Sequence, residues 1–351
     1  MAAAYIHELV NGSYEDNKRL YPKIREKKEK QMNNFIEAHR SAPLQRTDEW
    51  FLMRNKVIGA SELAALVGMN PYQNFESLAR KKRGESNSSY SNSSCWWGTI
   101  FEDVAVKYAE SEFFTKIGGT NICVKPPEGS KLHGKHVVSP DGYGIVDFVQ
   151  QDTGWYIVRK SEKVKRNGRI APMAALFEFK CPHRRHPKGF VPKHYLPQVW
   201  AGLEISPFTG VGVFCEMVIR KCPKYKVEKW GEYDRNYHFD YKWGRELARG
   251  VSAVFRKEAS EKIIDYGDSS RNEFDDMMSE AVNGKECRIV HSQLYETEYK
   301  RLEGGDGFFM TRFFYWKIFR FDVHIVKKNP GFMEKCTPLI IDCLSTQSIH
   351  E

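Results

Sequence analysis

The sequence predicts an α/β fold in which a central mixed β-sheet is flanked by helices. Three apolar stretches predict strands by their alternating or continuous hydrophobic patterns: ALFEFK at 175–180, GVGVFCEMVIRK at 210–221 and RFFYWKIFRFDVHIVKK at 312–328. Stretches with a helical period lie between and beyond them. Since 41% of the 351 residues are hydrophobic, the composition is that of a folded globular protein.

The first hundred residues predict helices separated by polar segments. Residues 15–40 are highly charged and are expected to be helical. In RTDEWFLMRNKVIGASELAALVGMN (46–70), we expect a strand or turn followed by a helix with Ser61 as its N-cap. ESNSSYSNSS (85–94) predicts a polar loop. GTIFEDVAVKYAESEFF (98–114) predicts a helix with Glu102 inside its apolar arc, where a carboxylate is costly without a partner.

The central residues predict a strand, a turn and a second strand in HVVSPDGYGIVDFV (136–149), with Asp141 in the turn. A polar hairpin or loop follows, with the basic stretch RKSEKVKRNGR (159–169). A helix is expected from about Pro197. Residues 226–312 are expected to be mostly helical, with an amphipathic helix around 243–263, and PGFMEKCTPLIIDCLS (330–345) predicts a closing helix.

Charge and cysteine usage favour some classes of protein over others. The net charge of +9 favours a polyanionic partner. The eight cysteines are scattered without a C-x-x-C pair, which argues against a zinc ribbon and for reduced thiols inside a cell. We see no signal peptide and no run of 18 apolar residues, so we expect an intracellular protein of the cytoplasm or nucleus that is neither secreted nor membrane-bound.

A short motif carries the chemistry. Glu178 and Lys180 are two residues apart in a predicted strand, so their side chains lie on one face. A surface ion pair, which contributes at most about 1 kcal/mol, is the simplest explanation. With Asp141 and Glu102 added, the set suits Mg²⁺, or Mn²⁺ in its place. Such a site can activate water for hydrolysis of a phosphodiester.

The order of these motifs resembles a known family. SPDG followed by FEFKCP looks like the signature of the PD-(D/E)xK nucleases. The wider pattern is similar to the lambda-type exonucleases, or YqaJ-like viral recombinases, over about residues 44–225 and 313–350. Four blocks carry the similarity: RTDEWFLMRNKVIGASELAALVGMNPY, WWGTIFE, HYLPQVW and FDVHIVKKNPGFMEKC.

The resemblance implies roles for individual residues. The implied metal ligands are Asp141, Glu178 and the main-chain carbonyl of Phe179, with Glu102 on or near a second metal, and Lys180 serves the attacking water. The resemblance also implies phosphate and DNA contacts. These are Arg54 and Ser61 for the terminal 5′-phosphate, with Ser139, Tyr195 and Gln198 nearby. To them we add Arg184 and Arg185 of the basic run CPHRRHPK as contacts to the DNA backbone.

The family pattern also divides the chain and implies a function. We expect a charged helical extension (1–40), a restriction-endonuclease-like nuclease core (41–225), an insertion of unknown role (226–312) and a final strand and helix (313–351). The implied activity is a Mg²⁺-dependent deoxyribonuclease that resects one strand of duplex DNA ends in the 5′→3′ direction, for annealing recombination or viral DNA processing. The implied partners are double-stranded DNA ends and a single-strand annealing protein, and the assembly is a monomer or a ring-shaped homo-oligomer.

Several alternatives stay open at this point. The chain could be an endonuclease or an RNase of the same superfamily, or an inactive DNA-binding factor. Cys181, His183 and His186 invite a zinc site but lack a clear fourth ligand. RKSEKVKRNGR could be solvated or could contact DNA, and RKKR (80–83) fits helix-end cations better than a nuclear-localisation patch. Trp96 and Trp97 fit the core better than a stacking platform.

Overall fold

A computed structural model describes residues 14–40, 43, 47–85, 92–151, 154–161, 170–228, 247–260, 262–265, 271–283 and 286–345. Within these ranges the helices are Tyr14–Ala38 (α1), Asp48–Lys56 (α2), Leu63–Leu66 (α3), Phe75–Lys82 (α4), Ser93–Phe113 (α5), Leu196–Ile205 (α6), Lys224–Glu228 (α7), Arg271–Asn283 (α8) and Phe332–Ser345 (α9). The strands are Ile58–Gly59 (β1), His136–Val137 (β2), Gly142–Gln151 (β3), Gly154–Ile157 (β4), Ile170–Lys180 (β5), Val211–Cys222 (β6), Ala248–Arg256 (β7), Ile264–Asp265 (β8), Cys287–His291 (β9) and Phe309–Val326 (β10).

One mixed sheet lies at the centre of the described structure. Its strands follow the order β4-β3-β5-β6-β10-β7-β9, and β8 pairs with β10. β5 and β6 are parallel, whereas β3 and β10 pair with them antiparallel. A parallel pair needs a crossover connection, and α6 supplies it between β5 and β6. The predicted α/β class, a central mixed sheet flanked by helices, is confirmed.

Helices cover β5 on both faces of the sheet. On one face, Phe177 packs against Phe113 of α5, with ring centroids 5.7 Å apart. On the other face, Leu176 packs with Val199 of α6 in a cluster that also includes residues of α1. Because side chains alternate along a strand, Glu178 points to the same side as Leu176. The alternation therefore places a carboxylate on the face of the sheet that α6 covers.

For the described residues of 226–312, the expectation of a mostly helical region is wrong. The region expected to form a helix around 243–263 contains β7, whose central residues are continuously buried. β7 pairs antiparallel with β10 on one side and with β9 on the other. A short apolar run buried on both faces shows neither the helical nor the alternating period, so the sequence pattern could not separate the two structures.

A single long strand joins this region to the rest of the sheet. β10 pairs with β7 from Phe309 to Ile318 and with β6 from Tyr315 to Val326. The strands of 226–312 that the structure describes are thus part of the central sheet. The boundaries expected for the four chain segments stay a prediction. Residues 86–91 of the low-complexity stretch and 162–169 of the basic stretch lie outside the described residues.

The start of the 46–70 stretch differs from expectation. A helix, α2, begins there with Thr47 as its N-cap, and the Thr47 side chain accepts a hydrogen bond from the Trp50 N–H. Ser61 is not an N-cap: it lies inside a 3-10 turn, Ala60–Glu62, that follows β1. The side chain of Glu62, rather than that of Ser61, satisfies a main-chain N–H at this turn. The Glu62 side chain is longer than that of Ser61 and accepts the Gly59 N–H, a contact that the sequence spacing did not predict.

The N-terminal helix packs on the central sheet. Tyr21 donates a hydrogen bond to Asp147 of β3 over 2.7 Å, and Arg25 pairs with the same carboxylate at 3.0 Å. Met32 and Ile36 complete the contact by packing in the core. The described part of the expected helical extension, residues 14–40, is therefore docked by both polar and apolar contacts, and residues 1–13 lie outside the described residues. Across the ranges that the structure describes, every helix is too short or too polar to cross a bilayer.

The buried imidazole of His136 makes stability depend on pH. Its Nδ1 donates to the Ile58 carbonyl over 2.8 Å, and the side chain is 1% exposed. Burial lowers the pKa of His136 to about 4 from 6.5. Between these pH values the unfolded chain binds a proton that the folded chain excludes, so stability falls as the pH falls.

We expect the free energy of unfolding to lose about 3 kcal/mol through this group as the pH falls across that window. Urea unfolding of the wild type and His136→Gln at about pH 7 and about pH 4.5 measures the loss. The variant should lose less stability than the wild type. His133→Gln, at an exposed position, should behave like the wild type, and equal losses in the wild type and His136→Gln would contradict the prediction.

Candidate active site

Three predicted residues meet at the carboxyl end of β5. Glu178 is 1% exposed, and the Lys180 ammonium contacts its carboxylate directly. Gln198, on the first turn of α6, donates its amide N–H to the other Glu178 oxygen over 2.9 Å. Glu178 is therefore a buried, hydrogen-bonded carboxylate in contact with a half-buried lysine, rather than one member of a solvated surface ion pair.

Asp141 joins this group from the start of β3. One of its carboxylate oxygens accepts a hydrogen bond from the main-chain N–H of Phe179 over 2.7 Å. The contact ties the turn before β3 to the end of β5 and fixes Asp141 beside Glu178. Two carboxylates thus lie at one end of the sheet, with the Phe179 peptide between them.

The surroundings of Glu178 disfavour its ionised form. Burial and, next, the negative charge of Asp141 raise the pKa of Glu178 to about 8, although the Lys180 charge opposes them. Burial alone would lower the pKa of Lys180, but attraction to Glu178 and Asp141 outweighs it and raises that pKa above its ordinary value. Lys180 is therefore a charged ammonium. Its single positive charge does not balance the two carboxylates of Asp141 and Glu178, which we call the acid pair.

Glu102 approaches the same end of the sheet from α5. It is half-buried on that helix, and its negative charge contributes to the raised pKa values of Glu178 and Cys181. Its charge therefore acts at the site together with those of the two other predicted acids.

The donor set fits a hard divalent cation. Carboxylate and carbonyl oxygens are the ligands that Mg²⁺ prefers, and Mg²⁺ keeps several waters when bound. In the part of the chain that the structure describes, no three His, Cys, Asp or Glu side chains form a ready ligand cluster. A cation held by Asp141 and Glu178 would therefore need the Phe179 carbonyl and water as further ligands. The shortage of positive charge at Glu178 is the observation that supports this fit.

Tyr195 and Arg185 extend the site on the other side of Lys180. The Tyr195 ring centroid lies 5.2 Å from Lys180 Nζ and 5.8 Å from Arg185 Cζ, so the ring lies close to both cations. Arg185 also contacts Glu216, which is fully buried on β6 directly beside Lys180 in the strand register. Arg184 is exposed. Sequence reasoning missed Glu216, although a glutamate inside an apolar strand is the same signal that indicated Glu178.

Three of the predicted phosphate residues, Arg54, Ser61 and Ser139, form a second group. Arg54 Nη2 lies 3.0 Å from the Glu62 carboxylate. Burial raises the pKa of the Cys123 thiol above its ordinary value. A hydrogen bond to Ser139 and the nearby charge of Arg54 act in the opposite direction. Arg54 and Ser139 therefore lie in one neighbourhood, and the exposed Ser61 lies in the turn beside Glu62.

This second group adjoins the acid pair because Ser139 is two residues before Asp141. The buried Glu62 and Lys82 were not singled out from sequence as parts of this neighbourhood. Within RKKR, Arg80 pairs with Glu76 at the helix surface, as expected of a helix-end cation, whereas Lys82 is buried. No sequence signal separated Lys82 from its exposed neighbours.

Two of the three residues considered for zinc, Cys181 and His183, have packing contacts in the described structure, whereas His186 is exposed. The Cys181 thiol lies 3.7 Å from the Phe101 carbonyl, to which it donates. His183 stacks on Trp97 at a centroid distance of 4.8 Å. Trp97 is 2% exposed, so its expected place in the core is confirmed.

Comparison with known proteins shows what this region is similar to. Residues 49–210, which include Asp141, Glu178, Lys180 and the residues predicted to contact phosphate, match the model of the YqaJ-like viral recombinase domain. Over these residues the chain is similar to the YqaJ-like viral recombinase domain, and the predicted resemblance is confirmed.

Individual relatives extend beyond the matched domain. A protein of African swine fever virus, Badajoz strain, is 27% identical over 315 residues, covering 88% of this chain and 87% of the viral protein. Its counterpart in a tick isolate from South Africa has the same identity and coverage. The crystal structure of LHK-Exo in complex with dAMP is 12% identical, with a TM-score of 0.38 and coverage of 86% of this chain and 92% of that one. A second structure, of the alkaline exonuclease LHK-Exo from Laribacter hongkongensis, is 18% identical, with a TM-score of 0.31 and coverage of 48% and 73%.

The raised pKa of Glu178 predicts a stability change in metal-free protein. Because its folded pKa exceeds the unfolded value of 4.5, the folded chain binds the extra proton, and stability falls as the pH rises from about 4.5 to about 8. Glu178→Gln should therefore gain stability relative to the wild type by more than about 1 kcal/mol between about pH 5 and about pH 8.

Urea unfolding in the presence of a chelator measures this difference. Glu334→Gln, at an exposed position of α9, is the charge-matched control and should follow the wild type. A constant difference between the wild type and Glu178→Gln at both pH values would show that Glu178 is not a desolvated acid.

Proposed function

We propose that this chain is a metal-dependent deoxyribonuclease that removes nucleotides from the 5′ end of one strand of duplex DNA. The observation that carries the proposal is the buried Glu178, held beside Asp141 and Lys180 inside the domain matched by the family. A structural role does not explain two adjacent carboxylates at a buried strand end, since each costs free energy that a cation would offset. The net charge of +9 supports a polyanionic substrate.

Each residue has a distinct part in the proposed mechanism. Asp141, Glu178 and the Phe179 carbonyl would hold Mg²⁺ or Mn²⁺, with Glu102 near a second ion. When bound, such an ion supplies a nucleophilic water and neutralises charge on the phosphodiester. Lys180 orients that water, because its ammonium is held at the Glu178 carboxylate. Gln198 fixes the second Glu178 oxygen and leaves its remaining N–H for a phosphate oxygen.

The cations around the acid pair suit a DNA backbone. Arg185 contacts Glu216 and lies near the Tyr195 ring, which is also close to Lys180. Arg54, with Ser61 and Ser139 in the second group, is proposed to receive the terminal 5′-phosphate. An exonuclease that starts at an end needs such a receptor, whereas an endonuclease does not.

The central test is digestion of linear duplex DNA labelled at one 5′ or one 3′ end, in the presence of Mg²⁺. We expect the wild type to release mononucleotides from the 5′ end and Lys180→Ala to lower the rate by roughly 100-fold or more, as for loss of a group that assists proton transfer. Lys335→Ala, an exposed lysine of α9, should retain the wild-type rate.

Covalently closed circular DNA and an RNA duplex complete this experiment. Nicking of the circle would indicate an endonuclease, and preferential loss of the RNA would indicate an RNase. Binding of DNA without cleavage in any divalent metal would identify an inactive DNA-binding factor. Full activity of Lys180→Ala would remove Lys180 from the mechanism.

Metal binding has a readout that does not depend on cleavage. A cation that binds only the folded state raises the unfolding temperature, by several degrees when the free concentration is well above the dissociation constant. We expect Mn²⁺ to raise the melting temperature of the wild type. In Asp141→Asn the amide oxygen can still accept from the Phe179 N–H, but the lost charge should abolish most of the shift.

Glu334→Gln provides the matched control for this measurement and should keep the full Mn²⁺ shift. An equal shift in the wild type and in Asp141→Asn would locate the cation elsewhere on the protein.

A further inference from the structure

A network of buried charges lies beneath Arg54. The Glu62 carboxylate is 7% exposed. It lies 3.0 Å from Arg54 Nη2 and 2.9 Å from Lys82 Nζ, and it accepts the Gly59 N–H over 2.9 Å. Attraction to Arg54 and Lys82 outweighs the effect of burial and lowers the pKa of Glu62, so the carboxylate is ionised.

Lys82 is the structural centre of this network. Its Nζ donates to the main-chain carbonyls of Arg54 over 2.8 Å and Val57 over 2.7 Å, as well as to Glu62. Three acceptors require three N–H groups, which only the protonated ammonium has. Lys82 therefore carries a charge and joins α4 to the end of α2, where Arg54 lies.

Gly59 allows the Arg54 side chain to lie against the main chain. A Cβ atom at residue 59 would be 1.5 Å from Arg54 Nη1 and 2.1 Å from Arg54 Cζ. The guanidinium thus occupies the space that any other side chain would fill. On its far side, Arg54 Cζ lies 5.6 Å from the Trp50 ring centroid. The guanidinium is held by Gly59, Glu62 and Trp50, and its side chain keeps 15% exposure.

The charges of this network do not cancel. Arg54 and Lys82 are two cations around the single carboxylate of Glu62, so the group has a net positive charge. A guanidinium in a network of net positive charge attracts an anion. Because the Arg54 side chain is already restricted, it loses little conformational entropy when the anion binds.

We propose that Gly59, Glu62 and Lys82 are positioning residues that hold Arg54 as a preformed receptor for a terminal phosphate and so set a preference for 5′-phosphorylated DNA ends. This inference rests on the proposed nuclease function and names the residues that give it end selectivity. They act through Arg54 and do not themselves contact the DNA.

The test compares kcat/KM for 5′-phosphorylated and 5′-hydroxyl linear duplexes. The ratio of the two values should fall at least about tenfold in Gly59→Ala and in Lys82→Met, the loss expected when a charge-assisted hydrogen bond is misplaced. Lys81→Met loses the same charge from a side chain that is 43% exposed and 3.8 Å from Glu62. Its ratio should stay within about twofold of the wild type because solvent screens its charge.

Gly59→Ala is the decisive variant, because it removes no charge and no hydrogen-bonding group. Thermal unfolding verifies that each variant is folded. A merely structural role would lower both rates together and leave the ratio unchanged, and an unchanged ratio in folded Gly59→Ala would overturn the inference.

A binding measurement separates this inference from the proposed function. Fluorescence anisotropy of a labelled duplex, with or without a 5′-phosphate, is measured in Ca²⁺. If the wild type cleaves DNA but neither cleavage nor binding depends on the 5′-phosphate, the inference fails and the nuclease stands. If it binds phosphorylated ends preferentially without cleaving, and Gly59→Ala loses that preference, the inference stands and the nuclease fails.

Discussion

The burial of Glu178 at the end of β5 is the constraint on which the rest of the site depends. A carboxylate at such a position costs several kcal/mol unless other groups stabilise its charge. Lys180 and Gln198 supply part of that stabilisation. Asp141 adds repulsion instead, because its hydrogen bond to the Phe179 N–H holds it near Glu178. The imbalance is the physical ground for the proposed cation.

Two further buried acids follow the same principle in positioning cations. Glu216 holds Arg185 beside Lys180, and Glu62 holds Arg54 with the help of Lys82. In both cases a buried carboxylate is in ion-pair contact with a guanidinium near the site. A basic surface whose cations are fixed in this way is suited to phosphates at defined positions, in contrast to a solvated charge run. The net charge of +9 thus includes cations that buried acids hold in place.

The central sheet brings these groups together through its register. Lys180 of β5 is paired with Glu216 of β6, which is paired in turn with Asp322 of β10. The same β10 strand continues into its pairing with β7, so residues after 226 support the sheet that carries the site. An apparent insertion is therefore continuous with the core through main-chain hydrogen bonds. Its effect on the site is indirect, by extending and covering the sheet.

The sequence by itself determined the central strands, the helix that carries Glu102, and the shared face of Glu178 and Lys180. These follow from side-chain alternation and helical period, which are local properties of the backbone. Only the tertiary structure decided that β7 is a strand, because a run buried on both faces has no distinguishing period. It also decided that Lys82 contacts Arg54, 28 residues away in the chain. A buried charge is stabilised by whatever partner the fold brings near it, and that partner leaves no mark on the local sequence pattern.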